Sequence, residues 1–178
     1  YHIKLKPGSN VAVLNMMLYF IVKGNLLNKD FVEKRTEGFE EFLKHINSLD
    51  IDHLANVAGV EKQLVKEAAI AYATANNSME FHGLGVTEHE QGSKTVMLIA
   101  DLAMITGNIG RRGVGVNPLR GQNNVQGAAD MGCQPHQGAG YFPVADKKIQ
   151  EFYTEKYGVV HPSKAGLKIP EIFDAAIN

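Results

Sequence analysis

The chain has 178 residues, of which 44% are hydrophobic and 21% are charged, and its formal net charge at pH 7 is −1. This length is enough to bury a sizeable core, and the composition is typical of a globular protein. The near-neutral charge argues against a general nucleic-acid surface. No apolar run reaches the roughly 18 to 20 residues that a membrane-spanning helix needs, because the longest run, Val11 to Val22, is interrupted by Asn15.

The chain has one cysteine, Cys133, so it carries neither an internal disulfide framework nor the set of thiolates that holds an iron–sulfur cluster. We interpret Cys133 as a small buried apolar side chain. The sequence begins at Tyr1 without a signal peptide. We therefore interpret it as a segment of a longer chain, with both cytoplasm and periplasm open as its compartment.

The amino-terminal residues predict a strand, a tight turn and a helix. Apolar and polar residues alternate from His2 to Lys6, as they do at the end of a strand. Pro7-Gly8 then turns the chain, and Ser9 or Asn10 caps a helix that extends to Lys23. Such a layout leaves backbone N–H groups free at the start of the helix, where anions bind. An ordinary strand-to-helix connection is the alternative.

The next part of the chain is predicted to consist of packing helices. Apolar residues recur at helical spacing in a short helix from Phe31, in a helix after the turn at Thr36, and in a helix from about Val60 to Ala75. The segment from Asp50 to Val57 is predicted to be a turn. These apolar stripes are typical of a core and not of cofactor contact.

A glycine-rich loop, Gly83 to Gly92, follows a predicted buried strand from Met79 to Gly83 and precedes a helix from about Ser93 to Thr106. Open α/β sheets bind ligands in loops of this kind. Taken alone the pattern is weak, because the third glycine of the dinucleotide fingerprint is missing and no P-loop Lys-Ser/Thr pair follows.

A long polar loop from Gly113 to Pro143 holds the densest group of candidate ligand-binding residues. It is rich in Gly, Asn and Gln and contains Arg120. Backbone amides beside glycine, carboxamides and a planar guanidinium are suited to a polar, anionic molecule. A surface loop that binds nothing is the alternative. Helices are predicted from Asp146 to Tyr157 and from near Pro170, the latter ending in an apolar run that needs a partner surface.

Seven histidines invite comparison with metal sites. Position 93 is Ser, so the residues after His89 do not form the His-Glu-x-x-His pattern of zinc peptidases. A structural zinc ion held by His82, His89 and His136 is an alternative that needs these residues to converge in space.

Three segments resemble the catalytic subunits of molybdenum- or tungsten-dependent formate dehydrogenases, which belong to the molybdopterin oxidoreductase family. The longest is Leu119-Arg-Gly-Gln-Asn-Asn-Val-Gln-Gly-Ala-Ala-Asp-Met-Gly132, which matches the family form V-R-G-Q-N-N-V-Q-G-A-C-D-M-G without a gap. The segment Leu5 to Asn10 resembles L-K-P-G-S/T-D, and Gly83 to Glu88 resembles the loop G-x-G-V-T-Q. Asn10 replaces the usual Asp near the guanosine, and Glu88 replaces a neutral Gln beside the pterin.

The resemblance and the element pattern imply a three-layer α/β/α fold with a mainly parallel sheet, incomplete in this chain. Residues 1–145 would form part of a molybdopterin-dinucleotide-binding α/β domain, and residues 146–178 a truncated helical extension. The implied reaction oxidises formate to carbon dioxide at Mo or W held by two molybdopterin guanine dinucleotides. Electrons would pass to a 4Fe-4S cluster bound elsewhere in the full chain, and then to electron-transfer subunits.

The resemblance makes Arg120 the active-site arginine that orients the formate carboxylate. Cys133 does not take the role of metal ligand, because the family's metal-binding residue lies upstream and is followed by His, whereas Gln134 follows Cys133. This chain therefore supplies no metal ligand, and on its own it is expected to be inactive. A related enzyme with another substrate, such as a nitrate reductase, and a non-catalytic binding or assembly module are the alternatives. The residues expected to bind the cofactor are Gly8, Ser9, Asn10, Gly83, Gly85, Thr87, Glu88, Gly121, Gln122, Asn123, Asn124 and Gln126.

Overall fold

Within residues 1–177, which the computed structural model describes, the chain forms ten α-helices, two short β-strands and one 3₁₀ turn. It folds into two compact units, residues 1–119 and the residues from Arg120 onward. No helix among these residues is long and apolar enough to cross a membrane. The elements are α1 Asn10–Lys23, α2 Lys29–Arg35, α3 Phe39–Asn47, α4 Ile51–Ala58, α5 Lys62–Thr74, β1 Met79–His82, α6 Leu84–Thr87, α7 Gly92–Thr106, β2 Gly115–Pro118, α8 Val125–Asp130, the 3₁₀ turn Ala139–Tyr141, α9 Lys147–Tyr157 and α10 Ile169–Ile177.

Helix α1 is the centre of the first unit. It packs against α3, α4, α5 and α7. Leu18 belongs to one apolar cluster and Met16 to a second, and both side chains are fully buried. The polar interruption at Asn15 is satisfied, since its amide nitrogen donates to the Val11 carbonyl at 2.9 Å and its oxygen lies 3.2 Å from His45 Nε2. The predicted helix up to Lys23 is confirmed.

Side-chain caps set where the next helices begin. The Asn28 side chain accepts a hydrogen bond from the Phe31 N–H at 3.0 Å, which fixes the start of α2. Asp50 accepts from the His53 N–H at 2.9 Å and starts α4. A cap of this type stabilises a helix by about 1 kcal/mol. The prediction of a turn from Asp50 to Val57 is therefore wrong, because this capped segment also buries Ala55 and Ala58 and continues as a helix.

The two strands form a small parallel sheet in which Met79 pairs with Gly115 and His82 pairs with Pro118. A parallel sheet with packed helices confirms the predicted α/β class. The strand from Met79 is not buried as predicted, because Met79 is 44% exposed and Phe81 is 61% exposed. One face of this sheet is thus left open, in agreement with an incomplete fold.

The prediction of a strand from His2 to Lys6 is wrong. These residues pair with no strand among the described residues; instead the Lys6 N–H donates to the Ala58 carbonyl at 2.9 Å. Ile3 and Leu5 pack against the apolar cluster around Met16. The alternation of apolar and polar residues is therefore explained by packing against helices.

Two segments predicted to be loops contain regular structure. The Gly83–Gly92 loop includes α6, and the Gly113–Pro143 loop includes β2, α8 and the 3₁₀ turn. These elements are short and rich in glycine, which has low helix and strand propensity, so sequence periodicity could not reveal them. The predicted helices at α1, α2, α3, α5, α7, α9 and α10 are present.

The second unit is organised around Tyr153 of α9, which is 3% exposed. Its hydroxyl donates to the Ala139 carbonyl at 2.5 Å, and its ring lies 4.9 Å from the His161 ring, measured between centroids. A Cβ added to Gly138 would lie 2.8 Å from this ring, so the glycine permits the close approach. In α10, Ile169, Phe173 and Ile177 are each more than half exposed, so the apolar side chains of the predicted run lie at the surface.

Candidate functional site

The turn before α1 leaves backbone N–H groups at the start of the helix without a protein acceptor among residues 1–177. The Ser9 N–H donates to the Lys6 carbonyl at 3.1 Å across the turn, and Gly8 has a φ of 83° that favours glycine. The Ser9 hydroxyl also donates to the Lys6 carbonyl, at 2.6 Å, so it does not cap the helix. Among residues 1–177, no protein acceptor lies within hydrogen-bonding distance of the N–H groups of Asn10 and Val11. Free N–H groups at the start of a long helix are suited to an anion.

The loop after β1 is closed tightly against α7. The N–H groups of Val86 and Thr87 donate to the Gly83 carbonyl at 3.0 and 3.2 Å, which forms α6. A Cβ added to Gly92 would lie 2.2 Å from the Thr87 carbonyl oxygen. Only glycine therefore allows α6 to lie against the first turn of α7 in this way.

The structure brings Gly83, Gly85, Thr87 and Glu88 together on this loop, at the carboxyl end of β1. Thr87 and Glu88 are exposed. A Cβ added to Gly85 would meet no atom within 4 Å, whereas one added to Gly83 would lie 3.3 Å from the Leu119 carbonyl oxygen. Gly85 thus borders open space in this chain, which a ligand is free to approach closely.

Two buried polar atoms of β1 have no hydrogen-bond partner in the described part of the chain, Glu80 Oε2 and His82 Nδ1. The other carboxylate oxygen of Glu80 accepts a hydrogen bond from the Tyr72 hydroxyl. Burial raises the pKa of the Glu80 carboxyl and also the pKa of the Tyr72 hydroxyl. His82 directly precedes the glycine loop, so an unpaired ring nitrogen lies at its base.

In the second unit, three adjacent carboxamides are available to a ligand. Gln122, Asn123 and Asn124 are exposed, and their side chains have no hydrogen-bond partner within residues 1–177. Asn124 precedes α8 with a φ of 50°, and a Cβ added to Gly127 would lie 2.5 Å from its Oδ1 atom. Each carboxamide offers two N–H donors and one acceptor oxygen, as recognition of a nucleobase or pterin requires.

Arg120 takes part in a hydrogen-bond network that we call the arginine network, formed by Arg120, Gln126, Asp130 and Tyr141. The Arg120 Nη2 atom donates to Gln126 Oε1 at 3.3 Å. The Gln126 Nε2 atom donates to Asp130 Oδ1 at 3.0 Å and to the Tyr141 hydroxyl at 2.6 Å. The Tyr141 hydroxyl donates to Asp130 Oδ1 at 2.5 Å.

The hydrogen bonds of the network shift the pKa values of both acidic groups. The bond from Tyr141 lowers the pKa of the Asp130 carboxyl, and the same carboxylate raises the pKa of the Tyr141 hydroxyl. Sequence reasoning missed both residues. The spacing of Gln126 and Asp130 was a signal for their pairing on one helix face, but nothing in the sequence linked Tyr141 to them.

Each unit, taken by itself, carries groups that suit part of an anionic, heteroatom-rich cofactor. The free N–H groups at α1 suit a phosphate, and the exposed carboxamides suit ring edges. Within residues 1–177, no group of three His, Cys, Asp or Glu side chains is placed to hold a metal ion. Cys133 is exposed and not buried as predicted, because it lies in the turn that ends α8.

A solved structure shows the fold. Acetylene hydratase from Pelobacter acetylenicus superposes on 86% of this chain and on 20% of its own, with a TM-score of 0.60 and 19% identity. Residues 1–168 match the family described as Molybdopterin oxidoreductase. The chain therefore belongs to the molybdopterin oxidoreductase family.

Relatives within this family extend the comparison. The F420-dependent formate dehydrogenase subunit alpha of Methanocaldococcus jannaschii is 42% identical over 97% of this chain and 25% of its own length. Formate dehydrogenase H of Escherichia coli is 44% identical over 96% of this chain and 24% of its own. The assimilatory nitrate reductase catalytic subunit of Bacillus subtilis is 31% identical over 89% of this chain and 22% of its own. The chain spans about a quarter of the length of these relatives.

Proposed function

We propose that this chain is part of the catalytic subunit of a formate dehydrogenase, in which it binds the pterin cofactor and supplies the arginine that orients formate. The observation that carries the proposal is the placement of Arg120. Arg120 is exposed, and Gln126 accepts a hydrogen bond from its guanidinium. Gly121 alone separates it from three carboxamides that have no protein partner within residues 1–177. The formate dehydrogenase relatives, at 42% and 44% identity, support this substrate.

Formate loses two electrons and one proton when it becomes carbon dioxide. The molybdenum or tungsten ion held by two molybdopterin guanine dinucleotides would supply the electron acceptor for this step. Arg120 would bind the carboxylate through two parallel N–H···O bonds, which fix the plane of the substrate as well as its position. Such orientation is a large part of catalysis, because a displacement of about 1 Å can cost about 100-fold in rate.

The cofactor-binding role is proposed for three groups of residues. Gly8, Ser9 and Asn10 would lie near a guanosine end, where Asn10 offers both N–H donors and an acceptor oxygen. The loop with Gly83, Gly85, Thr87 and Glu88 would border the pterin, and Glu88, when ionised, can only accept hydrogen bonds there. The third group lies around the exposed carboxamides and would bind the cofactor through side-chain amides. It comprises Gly121, Gln122, Asn123, Asn124 and Gln126.

The domain roles are part of the same proposal. Residues 1–145 would belong to the cofactor-binding domain, and residues 146–178 would form a helical extension. A 4Fe-4S cluster elsewhere in the complete subunit would carry electrons to electron-transfer subunits. The relatives' designation as alpha subunits supports the presence of partner subunits.

Formate-dependent reduction of an artificial dye by the complete protein tests the proposed function. We expect dye reduction that requires formate and depends on loading with molybdenum or tungsten. Protein that contains pterin and metal but reduces no dye with formate would refute formate as the substrate.

Nitrate reduction is a second candidate, favoured by the nitrate reductase relative at 31% identity. The same dye distinguishes it in the opposite direction, because a nitrate reductase oxidises the reduced dye when nitrate is added. A non-catalytic binding module would neither reduce nor oxidise the dye. In such a module, the conformational order of the polar loop from Gly113 to Pro143 would not depend on a bound dinucleotide.

Gly85→Ala tests whether the glycine loop borders the cofactor. An added methyl group meets no atom of the chain within 4 Å, and Ala is favoured over Gly in a helix, so folding should be unaffected. If the pterin lies against Gly85, we expect cofactor binding to weaken by about 1–3 kcal/mol, the usual cost of one extra methyl group in a packed contact. The measurement is the ratio of pterin and metal to protein after dialysis.

Gly166→Ala is the matched control, because its added Cβ would make only an ordinary contact with Pro135, at 3.5 Å. This variant should retain the wild-type ratio. Unchanged cofactor content in both variants would remove Gly85 from the proposed site.

A further inference from the structure

The backbone at Tyr141 is held in an unusual conformation. Its φ is 65°, a region that residues other than glycine rarely adopt. The turn around it is fixed by several bonds, since the Gly138 N–H donates to the Phe142 carbonyl at 2.8 Å and Gln137 Nε2 donates to the Tyr141 carbonyl at 3.1 Å. The chain thus keeps a strained tyrosine at an exposed turn, where packing does not require one.

The chemistry of the arginine network allows only one orientation of the Gln126 amide. Asp130 when ionised can only accept hydrogen bonds, and the bond from Tyr141 favours the ionised form by lowering its pKa. The hydroxyl of Tyr141 donates its only proton to Asp130, so it can only accept a hydrogen bond from Gln126. Both acceptors therefore face the NH₂ end of the Gln126 amide.

The carbonyl end of the Gln126 amide is consequently turned toward Arg120, where Oε1 accepts from Nη2 at 3.3 Å. A reversed amide would place its oxygen against the Asp130 carboxylate and its NH₂ group against the guanidinium. Both of those contacts are unfavourable. The orientation of Gln126 thus fixes one edge of the guanidinium and leaves its other N–H donors for a carboxylate.

We propose that Tyr141 and Asp130 are positioning residues that orient the Arg120 guanidinium for its carboxylate ligand through the side chain of Gln126. The inference rests on the proposed function of Arg120 and adds the residues that hold it. Reinforcement of α8 by the pair Gln126 and Asp130 is a simpler role for those two residues. That role requires neither the Tyr141 hydroxyl nor the contact with Arg120.

Tyr141→Phe in the complete, cofactor-loaded enzyme tests the inference, since it removes only the hydroxyl. We expect the KM for formate to rise about tenfold, the usual effect of losing one hydrogen bond in a charged network, with a smaller change in kcat. Cofactor content should equal that of the wild type. As a readout without turnover, ¹³C-formate is titrated into dithionite-reduced enzyme, and its NMR line broadening should give a correspondingly weaker affinity.

Tyr157→Phe is the matched control, because Tyr157 belongs to the same unit and is 57% exposed without a hydroxyl partner in the described range. It should leave KM and formate affinity unchanged. Asp130→Asn should weaken formate binding as well, since the new amide can present either a donor or an acceptor to Gln126.

The outcomes separate this inference from the proposed function. A wild-type enzyme that reduces no dye with formate would overturn both. Wild-type activity together with an unchanged KM and formate affinity in Tyr141→Phe would overturn only the positioning role. Parallel loss of cofactor and activity in that variant would also overturn it, because the hydroxyl would then be needed for the fold.

Discussion

Arg120→Lys in the complete enzyme is expected to lower formate turnover about 100-fold, as for a misplaced reacting group, while cofactor content stays at the wild-type level. Lysine keeps the positive charge but replaces the planar fork with a single ammonium, which cannot bind both carboxylate oxygens in parallel. The substitution also removes the guanidinium Nη2 atom that donates a hydrogen bond to Gln126 in the wild type. Steady-state dye reduction and the ratio of metal to protein measure the two quantities.

Arg35→Lys is the matched control, since Arg35 is an exposed arginine at the end of α2 in the other unit. It should preserve both turnover and cofactor content. If Arg120→Lys loses cofactor in proportion to turnover, Arg120 has a structural or cofactor-binding role and does not orient the substrate.

The helical part of the fold was accessible from the sequence because its signals are local. Apolar spacing predicted α1 and α7, and it predicted a short helix from Phe31, within two residues of the observed start of α2 at Lys29. The same kind of cap at Asp50 starts α4, and the apolar residues of that helix also recur at helical spacing. The prediction of a turn there overlooked a local signal, because α2, which was predicted, is one residue shorter. Short helices depend on tertiary packing more than on their own sequence.

The amino-terminal segment and Cys133 show where local signals mislead. Alternation from His2 to Lys6 has the period of a strand, yet Ile3 and Leu5 use it to pack against helices. Cys133 has an apolar character that favours burial, but the turn after α8 places it at the surface. In both cases the tertiary neighbours of the residue, and not its local sequence, determine its conformation or burial.

The candidate site was predictable only in part, for the same reason. Arg120 and the neighbouring carboxamides are recognisable from residue type, because their chemistry suits an anionic ligand wherever the chain folds. Tyr141 lies 15 residues from Gln126 in the sequence, and only the turn after Gly132 brings its hydroxyl to the network. A residue such as Tyr141, which belongs to no sequence motif and is distant in sequence from its partners, can therefore be identified only from the structure.

Gly132→Ala is expected to destabilise the second unit by about 2–4 kcal/mol, from backbone strain and overpacking together. Gly132 has a φ of 82°, and its added Cβ would lie 2.4 Å from the Ala139 N atom and 2.5 Å from the Gly138 carbonyl carbon. Backbone atoms cannot rotate away as a flexible side chain can. The segment that carries Tyr141 must therefore shift, and the arginine network should break.

Local hydrogen exchange of the amides in α8 and the 3₁₀ turn measures this effect, because a single unfolding free energy is poorly defined for a multidomain protein. Gly158→Ala is the matched control: its φ is 71°, but an added Cβ would meet nothing within 4 Å. It should show only the strain of a left-handed residue, about 1–2 kcal/mol. The difference between the two variants isolates the clash with the 138–139 backbone. Equal protection in both would mean that this backbone moves aside freely, in which case Gly132 does not hold Tyr141 in place.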